Sequence, residues 1–324
     1  MRESFKRTIE EIFEEQVIIK GNLIKLSTPD IKRNLSNTAE VFTDKWSRFD
    51  PESAIKDYEK VQKKWYLDLY GFRDENELGS FLRSRKIIFD AGCGLGYKAA
   101  WFAKLSPDSL IIAMDISDSV FQAAEYYHDM GNLFFINGDI AASGLKKASI
   151  DYINCDQVIH HTEIPEKTFA HLTSLLAAHG EFACYVYAKK ALPRELLDEY
   201  FRNNSKNFSG EQLWETAEKL TQLGKSLSEL NISVEVPDIP LLGIKAGKYD
   251  IQRFIYWNFI KCYWNSDISF ESNVSTNFDW YAPALAKRFD ENEFRMLTET
   301  NNLEIVHWHS EEACYSGRFR QKMI

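Results

Sequence analysis

The sequence predicts an α/β protein. Its centre is a doubly wound, mostly parallel sheet of seven strands ending in a C-terminal β-hairpin, joined by a mainly helical insertion and a helical N-terminal extension. Three observations carry this prediction. Short apolar runs alternate with helical segments from residue 86 to residue 188. A glycine-rich turn, Gly92-Cys93-Gly94-Leu95-Gly96, joins the first of those runs to a helix. Two strand-like segments separated by one tight turn close the chain. Strands alternating with helices at this spacing are the pattern of βαβ units.

Residues 1–40 read as a helical start followed by an extended piece, Gln16 to Leu26. Val41 to Phe72 has aromatics three and four apart, the helical period. Lys86–Asp90 is then a first strand, Tyr97–Leu105 a helix, and Leu110–Asp115 a second strand. A helix around Ser119–Met130 leads to a third strand, Leu133–Asn137, and Ile150–Asn154 is a fourth. Pro165–Ala178 reads as a helix ended by Gly180 in a left-handed cap. Glu181–Ala188 is the fifth strand. Beyond Lys189 the alternation stops: Leu192–Asn203, Glu211–Leu230 and the aromatic stretch Tyr249–Trp264 read as helices. Glu291–Thr300 is a last helix before the strands Leu303–Ser310 and Ala313–Gln321. The organisation expected is a helical extension over 1–75, a ligand-binding core over 76–190, a helical aromatic-rich insertion over 191–275, and completion of the core sheet over 276–324.

Hydrophobic residues make up 44% of the chain and charged residues 27%, enough for a sizeable core in 324 residues. The net charge of -9 repels phosphate backbones and anionic membranes, so no nucleic-acid partner is expected. Five cysteines without a C-x-x-C pair argue against a disulfide framework or a zinc knuckle, which suits a reducing, cytoplasmic setting. The acidic N-terminus is no signal peptide, and no apolar run is long enough to span a bilayer.

The turn after the first strand identifies a ligand. Glycine lets backbone approach a bound molecule without a Cβ in the way, and in doubly wound sheets such turns lie where ligands bind. A phosphate-cradling P-loop requires G-x-x-x-x-G-K-[ST], and that string is absent. Dinucleotide folds use G-x-G-x-x-G with no acid just before it, whereas here Gly92, Gly94 and Gly96 follow Asp90. An acid there repels a pyrophosphate and suits the amino group and sulfonium of S-adenosyl-L-methionine. A purely structural glycine turn is the competing reading. Asp115 ends the second strand, beside Ile116, where a carboxylate can accept both ribose hydroxyls. Its alternative is a cap for the segment from Ser117. Asp139 ends the third strand, beside Ile140, where an acid can take the adenine amino group between apolar neighbours. Its alternative is a turn aspartate. Three acids at successive strand ends favour the cofactor.

The series DAGCGLG, AMDIS, NGDI and DYINCDQVIHHT resembles motifs I to IV of the class I S-adenosylmethionine-dependent methyltransferases, and HGEFACYVYA is similar to the strand after their fourth helix. That resemblance spans residues 85–190. VFTDKWSRF resembles the F-x-x-x-W-x-x-F element ahead of the domain in a bacterial subgroup, and the tail from NFDWYAPALAKRF resembles that subgroup's D-W-Y-x-P ending. The resemblance implies that Trp46 or Phe49 lies over the cofactor, although their amphipathic pattern alone favours packing. Cys93, Asp156 and Gln157 are likewise expected among the cofactor-binding residues.

Methyl transfer requires the acceptor in line with the sulfonium methyl, and an oxygen or nitrogen acceptor can require a base. His160 and His161 follow the fourth strand and are the candidates, with packing and capping as the alternative. Adjacent histidines do not converge easily on one ion, so no metal is expected. Substrate identity is expected in the insertion and the segment after it: Arg253, Tyr256, Trp257, Lys261, Trp280 and Tyr281 combine aromatic planes with cations. A helix buried in the core, or an interface forming a homo-oligomer, is the alternative. The expected activity is methyl transfer to a small molecule such as a sugar or surface-polysaccharide precursor. A tRNA or rRNA methyltransferase and a non-catalytic cofactor-binding scaffold are the other two readings.

Overall fold

Residues 3–26, 33–48 and 62–322 are described in the computed structural model. The chain forms two units, Met1–Tyr187 with Lys287–Ile324, and Ala188–Ala286. The first unit opens with α1 (Glu3–Ile12) and the hairpin β1 (Ile18–Lys20) and β2 (Leu23–Lys25). Helix α2 (Arg33–Ser47) follows, then α3 (62–70). Helix α4 (Glu75–Arg83) starts where the Asp74 side chain accepts from Glu77 N at 2.8 Å, satisfying an amide that the helix cannot. The alternating part is β3 (Ile87–Ala91), α5 (Tyr97–Leu105), β4 (Leu110–Asp115), α6 (Ser119–Tyr126), β5 (Leu133–Asn137), β6 (Ile150–Cys155), α7 (Pro165–Ser174) and β7 (Leu176–Ala188).

The second unit contains α8 (Leu192–Ser205), α9 (Gly210–Glu229), the antiparallel pair β8 (Ser233–Val236) and β9 (Gly247–Asp250), then α10 (Ile251–Asn258) and α11 (Phe270–Tyr281). A capping box between Ser209 and Gln212 starts α9. Two sequence expectations change here. The aromatic helix stops at Asn258 instead of reaching Trp264, because side-chain amides take the backbone groups of the segment that follows. Asn277 Oδ1 accepts from Tyr263 N at 2.8 Å, and Asn277 Nδ2 donates to Tyr263 O at 3.0 Å. Asn273 repeats this double bond on Asn265, at 2.7 and 2.9 Å. The D-W-Y segment, placed by sequence in the sheet's completion, is the last turn of α11 and lies in this unit.

The chain returns to the first unit with β10 (Arg288–Phe289), α12 (Glu291–Thr300), β11 (Leu303–Ser310) and β12 (Cys314–Gln321). The sheet runs β1-β2-β5-β4-β3-β6-β7-β12-β11, with β10 beside β7. All seven expected strands are present, and the N-terminal hairpin with β10 brings the sheet to ten. Leu23 pairs in parallel with Phe135, so the N-terminal extension adds strands as well as helices. Successive strand residues alternate between two cores. Phe89, Ile112, Phe134 and Phe182 pack on α1, α7 and α12 through Ile9, Phe169 and Phe294. Ile88, Ile111, Phe135 and Tyr152 pack on α3, α4 and α5 through Tyr66, Leu78 and Phe102.

Gly180 is not a helix cap. It lies inside β7, at a bulge where Ile150 pairs with Leu176 but Tyr152 pairs with Glu181. A Cβ there would stand 2.8 Å from the Ile150 carbonyl oxygen, so close strand approach requires the glycine. Helix α7 therefore ends at Ser174, earlier than its pattern suggested.

Candidate active site

Strand β3 is the switch point of the sheet, because its parallel neighbours β4 and β6 continue the winding in opposite directions. A crevice at the carboxyl end of such a strand is where doubly wound folds take ligands. The glycine loop is pinned across this end: Gly92 N and Cys93 N both donate to Met114 O, at 2.8 and 3.0 Å. Gly92 has φ +89°, and a Cβ on it would lie 2.3 Å from the Val158 side chain. Gly94 has φ +52°, and its missing Cβ would meet the Trp46 indole at 3.2 Å. Trp46 therefore lies over the loop, carried there by α2. Phe49, the other aromatic expected at this place, lies outside the described residues. Cys93 is buried with its Sγ turned to the Gly94 carbonyl at 3.7 Å.

Asp115 holds the loop from β4. Its Oδ2 accepts from Gly94 N at 2.7 Å, and its Oδ1 accepts from Ser117 N and the Ser117 hydroxyl at 2.8 and 2.6 Å. Of about four carboxylate acceptor positions, these bonds leave one on Oδ2. Asp139 caps a short 3-10 turn, Ile140–Ala142, accepting from Ala141 N at 2.9 Å. Asp139, weighed from sequence as a turn aspartate, thus caps a turn, whereas Asp115 binds Ser117 without capping α6; both side chains remain half-buried at the strand ends.

Beneath the loop lies a buried polar network. Asn154 donates to Asp90 Oδ1 at 2.7 Å, while Asp90 Oδ2 is buried without a hydrogen-bond partner. Burial pushes the Asp90 carboxyl up to about 6, against the Asn154 bond and the Lys98 charge. Asn154 accepts in turn from the Tyr66 hydroxyl at 3.0 Å, which shares a 2.7 Å bond with Tyr152. Asp156 takes the Tyr70 hydroxyl at 2.7 Å, Gln157 Nε2 at 3.2 Å and the Lys98 ammonium. Burial works against the Lys98 charge, but the Asp156 carboxylate outweighs it and raises the ammonium's pKa. Gln157 is non-glycine with φ +65°, a conformation costing roughly 1–2 kcal/mol. It turns the chain so that Val158 can cover Gly92.

The two histidines form a short 3-10 turn, Ile159–His161, and both are buried. The His160 ring packs tilted against Tyr187 with centroids 3.7 Å apart, and His161 meets Phe42 edge-on at 5.3 Å. Among the described residues no three His, Cys, Asp or Glu side chains are grouped to hold a metal ion.

The second unit gathers the aromatic residues around one carboxylate. Asp198 accepts from Trp280 Nε1 at 2.7 Å and from the Tyr281 hydroxyl at 2.9 Å, and Arg194 Nε bridges both its oxygens. The Arg194 guanidinium also donates to the Tyr256 carbonyl. Arg253 donates to Trp264 O at 3.2 Å and lies over Tyr256 and Tyr263. Trp257 is half-buried beside Tyr256, with ring centroids 4.4 Å apart. Trp280 and Tyr281 are thus anchored inside their unit and are not free aromatic faces.

Sequence reasoning missed Tyr66, Tyr70, Lys98, Asn154 and Asp198. Lys98 left one trace, a charge in the otherwise apolar start of α5, and Asn154 another, an amide ending a buried strand. The tyrosines and Asp198 left none, since their partners are distant in sequence.

A family profile described as a methyltransferase domain matches residues 82–250, more than half of the chain. The chain belongs to the methyltransferase domain family. Its fold is the Rossmann-like fold of the class I methyltransferases. An uncharacterised protein of Synechococcus sp. is 33% identical over 109 residues, covering 32% of this chain and 26% of that protein. The methyltransferase-domain chain thus spans about a quarter of that curated relative. Among solved structures, PKMT2 from Rickettsia typhi with AdoHcy has a TM-score of 0.50 at 17% identity, covering 75% of this chain and 50% of that one. The 1,6-didemethyltoxoflavin-N1-methyltransferase of Burkholderia thailandensis has a TM-score of 0.42 at 12% identity, covering 95% of each chain. At 17% identity the likeness to PKMT2 speaks to fold alone. Among the described residues, no helix is long and apolar enough to cross a membrane.

Proposed function

We propose that this methyltransferase-domain protein binds S-adenosyl-L-methionine at the β3 loop and transfers its methyl group to a small-molecule acceptor. The observation that carries the reading is Asp90 Oδ2, a buried acceptor without a partner under a glycine loop that has no room for side chains. A cationic ligand there would complete the carboxylate's hydrogen bonding. When bound, the cofactor supplies an electrophilic methyl on a sulfonium centre. Gly92, Gly94 and Gly96 let backbone approach it, and Trp46 covers it. The remaining acceptor position of Asp115 takes one ribose hydroxyl, a narrower role than the two read from sequence. Ile116, Asp139 and Ile140 flank the adenine. Asp156 and Gln157 shape the far wall, with Asp156 fixed by Lys98 and Tyr70.

His160 and His161 are the candidate groups for receiving the acceptor's proton. His161 is the better of the two, because the His160 ring is fully buried against Tyr187. The net charge of -9 favours a small acceptor over nucleic acid.

S-adenosylhomocysteine is expected to raise the melting temperature while NAD does not. Gly94→Val and Asp115→Ala are each expected to abolish that rise; full binding by both variants would place the cofactor elsewhere. Incubation with labelled S-adenosylmethionine and cell extract is expected to label a small molecule. Label on RNA would overturn the acceptor class, and binding with no labelled product would favour a non-catalytic scaffold. Once an acceptor is in hand, His161→Ala is expected to slow transfer with unchanged cofactor binding, and unchanged turnover removes it from the mechanism.

A further inference from the structure

One cation of the second unit lacks the counter-charge its burial calls for. Lys261 follows the end of α10 and is 5% exposed. Its ammonium donates to one group, the Tyr256 hydroxyl at 3.3 Å, and no carboxylate of the described residues pairs with it. An ammonium has three N–H donors, so two are left over. The rings of Trp280, Tyr256 and Tyr263 surround it, with centroids 4.9, 5.2 and 5.6 Å from Nζ.

The nearby carboxylate Asp198 has nothing left to offer. Arg194 takes both its oxygens, and Trp280 and Tyr281 fill the remaining positions. The groups facing Lys261 are Arg194 and Asp198 of α8, Arg253 and Tyr256 of α10, Tyr263, and Asp279 and Tyr281 of α11. Burial first, and then the Arg194 charge, bring the Lys261 ammonium down to about 7, while Asp279 and Asp198 only partly oppose them. Such a site is costly with its proton on and empty-handed with it off. An incoming anion corrects both. Arg253, Trp257 and Tyr263 are only half-buried, so the cluster reaches the surface of its unit.

We propose that Lys261 anchors a small anionic ligand, bearing a carboxylate or a phosphate, that enters the second unit where the half-buried Arg253, Trp257 and Tyr263 reach its surface. The anion site stands within the second unit and does not rest on the methyltransferase reading above. Its pH dependence has a definite sign. A bound anion raises the lysine's pKa, so binding takes up a proton above neutrality and weakens as pH rises.

The test uses the full chain with benzoate and phenyl phosphate as anionic probes and benzyl alcohol as the neutral one. Binding is read by tryptophan fluorescence and calorimetry. At about pH 7 at least one anionic probe is expected to bind roughly tenfold or more tightly than benzyl alcohol, and about tenfold less tightly at about pH 8.5. Which anion binds better separates a carboxylate from a phosphate ligand. Lys261→Met is expected to bring anionic probes down to the level of the neutral one with S-adenosylhomocysteine binding unchanged, and Lys261→Arg to retain them at the higher pH. Equal binding of neutral and anionic probes, no anionic binding at millimolar concentration, or undiminished binding by Lys261→Met overturns the proposal. Should Lys261→Met fail to fold, the wild-type pH arm still decides: affinity independent of pH overturns it. Loss of S-adenosylhomocysteine binding by the wild type would sink the methyltransferase reading alone.

Discussion

Asp90 has one oxygen on Asn154 and the other buried without a partner, directly under the loop that three glycines keep open. Folding raises its pKa from 3.8 to about 6. The folded state therefore binds more protons than the unfolded chain between those values, and this carboxyl's contribution falls as pH rises from 3.8 to 6. Above that window the ionised group costs on the order of 3 kcal/mol. Asp90→Asn is expected to raise the melting temperature at neutral pH and to flatten stability between about pH 4 and 6. It should also weaken S-adenosylhomocysteine, because the acceptor facing the cofactor's cation loses its charge. Thermal melts of both proteins across that range, with and without ligand, read both effects. A variant that neither stabilises nor loses ligand would show that Asp90 is an ordinary core group.

At the scale of elements, the segment after α10 shows how side chains can replace a strand. Asn277 pairs with both backbone groups of Tyr263 and also donates to the Thr221 hydroxyl at 2.8 Å, tying α9, α11 and the segment together. Asn277→Ala leaves three buried polar groups without this partner and is expected to destabilise the second unit by about 2–4 kcal/mol. Urea denaturation followed by hydrogen exchange of α9 and α11 measures it; a loss below about 0.5 kcal/mol would mean that other groups satisfy the segment. The helical pattern of Tyr249–Trp264 was legible, but its end was not. The cause of that end lies in Asn277, fourteen residues beyond the Tyr263 backbone it holds, and in Asn273, which look like ordinary polar positions of α11. β3, β4, β5 and β6 were legible to within one residue, because a buried parallel strand must be apolar along its length, whereas β7 begins at Leu176, five residues before the Glu181 expected. Gly180 misled for the opposite reason: a glycine after a helix suggests a cap, and only the register of β6 against β7 shows a bulge.

Across the whole molecule, two buried charges set opposite slopes on the stability profile. Lys261 titrates at about 7 in the folded protein and at 10.5 in its ordinary state. The unfolded chain then binds more protons across that interval, so stability rises with pH from about 7 towards 10.5. Together with Asp90 this predicts a dip around pH 6–7, and Lys261→Met is expected to remove the alkaline rise. Denaturation midpoints from about pH 4 to 10 test it. A profile unchanged by the substitution would mean that Lys261 keeps its charge in the folded protein.

The sequence by itself determined the alternation of strands and helices, the glycine loop after β3 and the acids at the ends of β3, β4 and β5. Each is dictated by local rules: apolar runs for buried strands, glycine where backbone turns sharply, polar groups where strands meet solvent. Tertiary structure alone decided what these groups do. It gave Asp115 a loop amide to hold, left Asp90 Oδ2 without a partner, tied Asp156 to Lys98, and turned the D-W-Y segment inward onto Asp198. Those outcomes depend on which side chains meet across the fold, and hydrogen bonds between residues eighty or more positions apart leave no period in the chain.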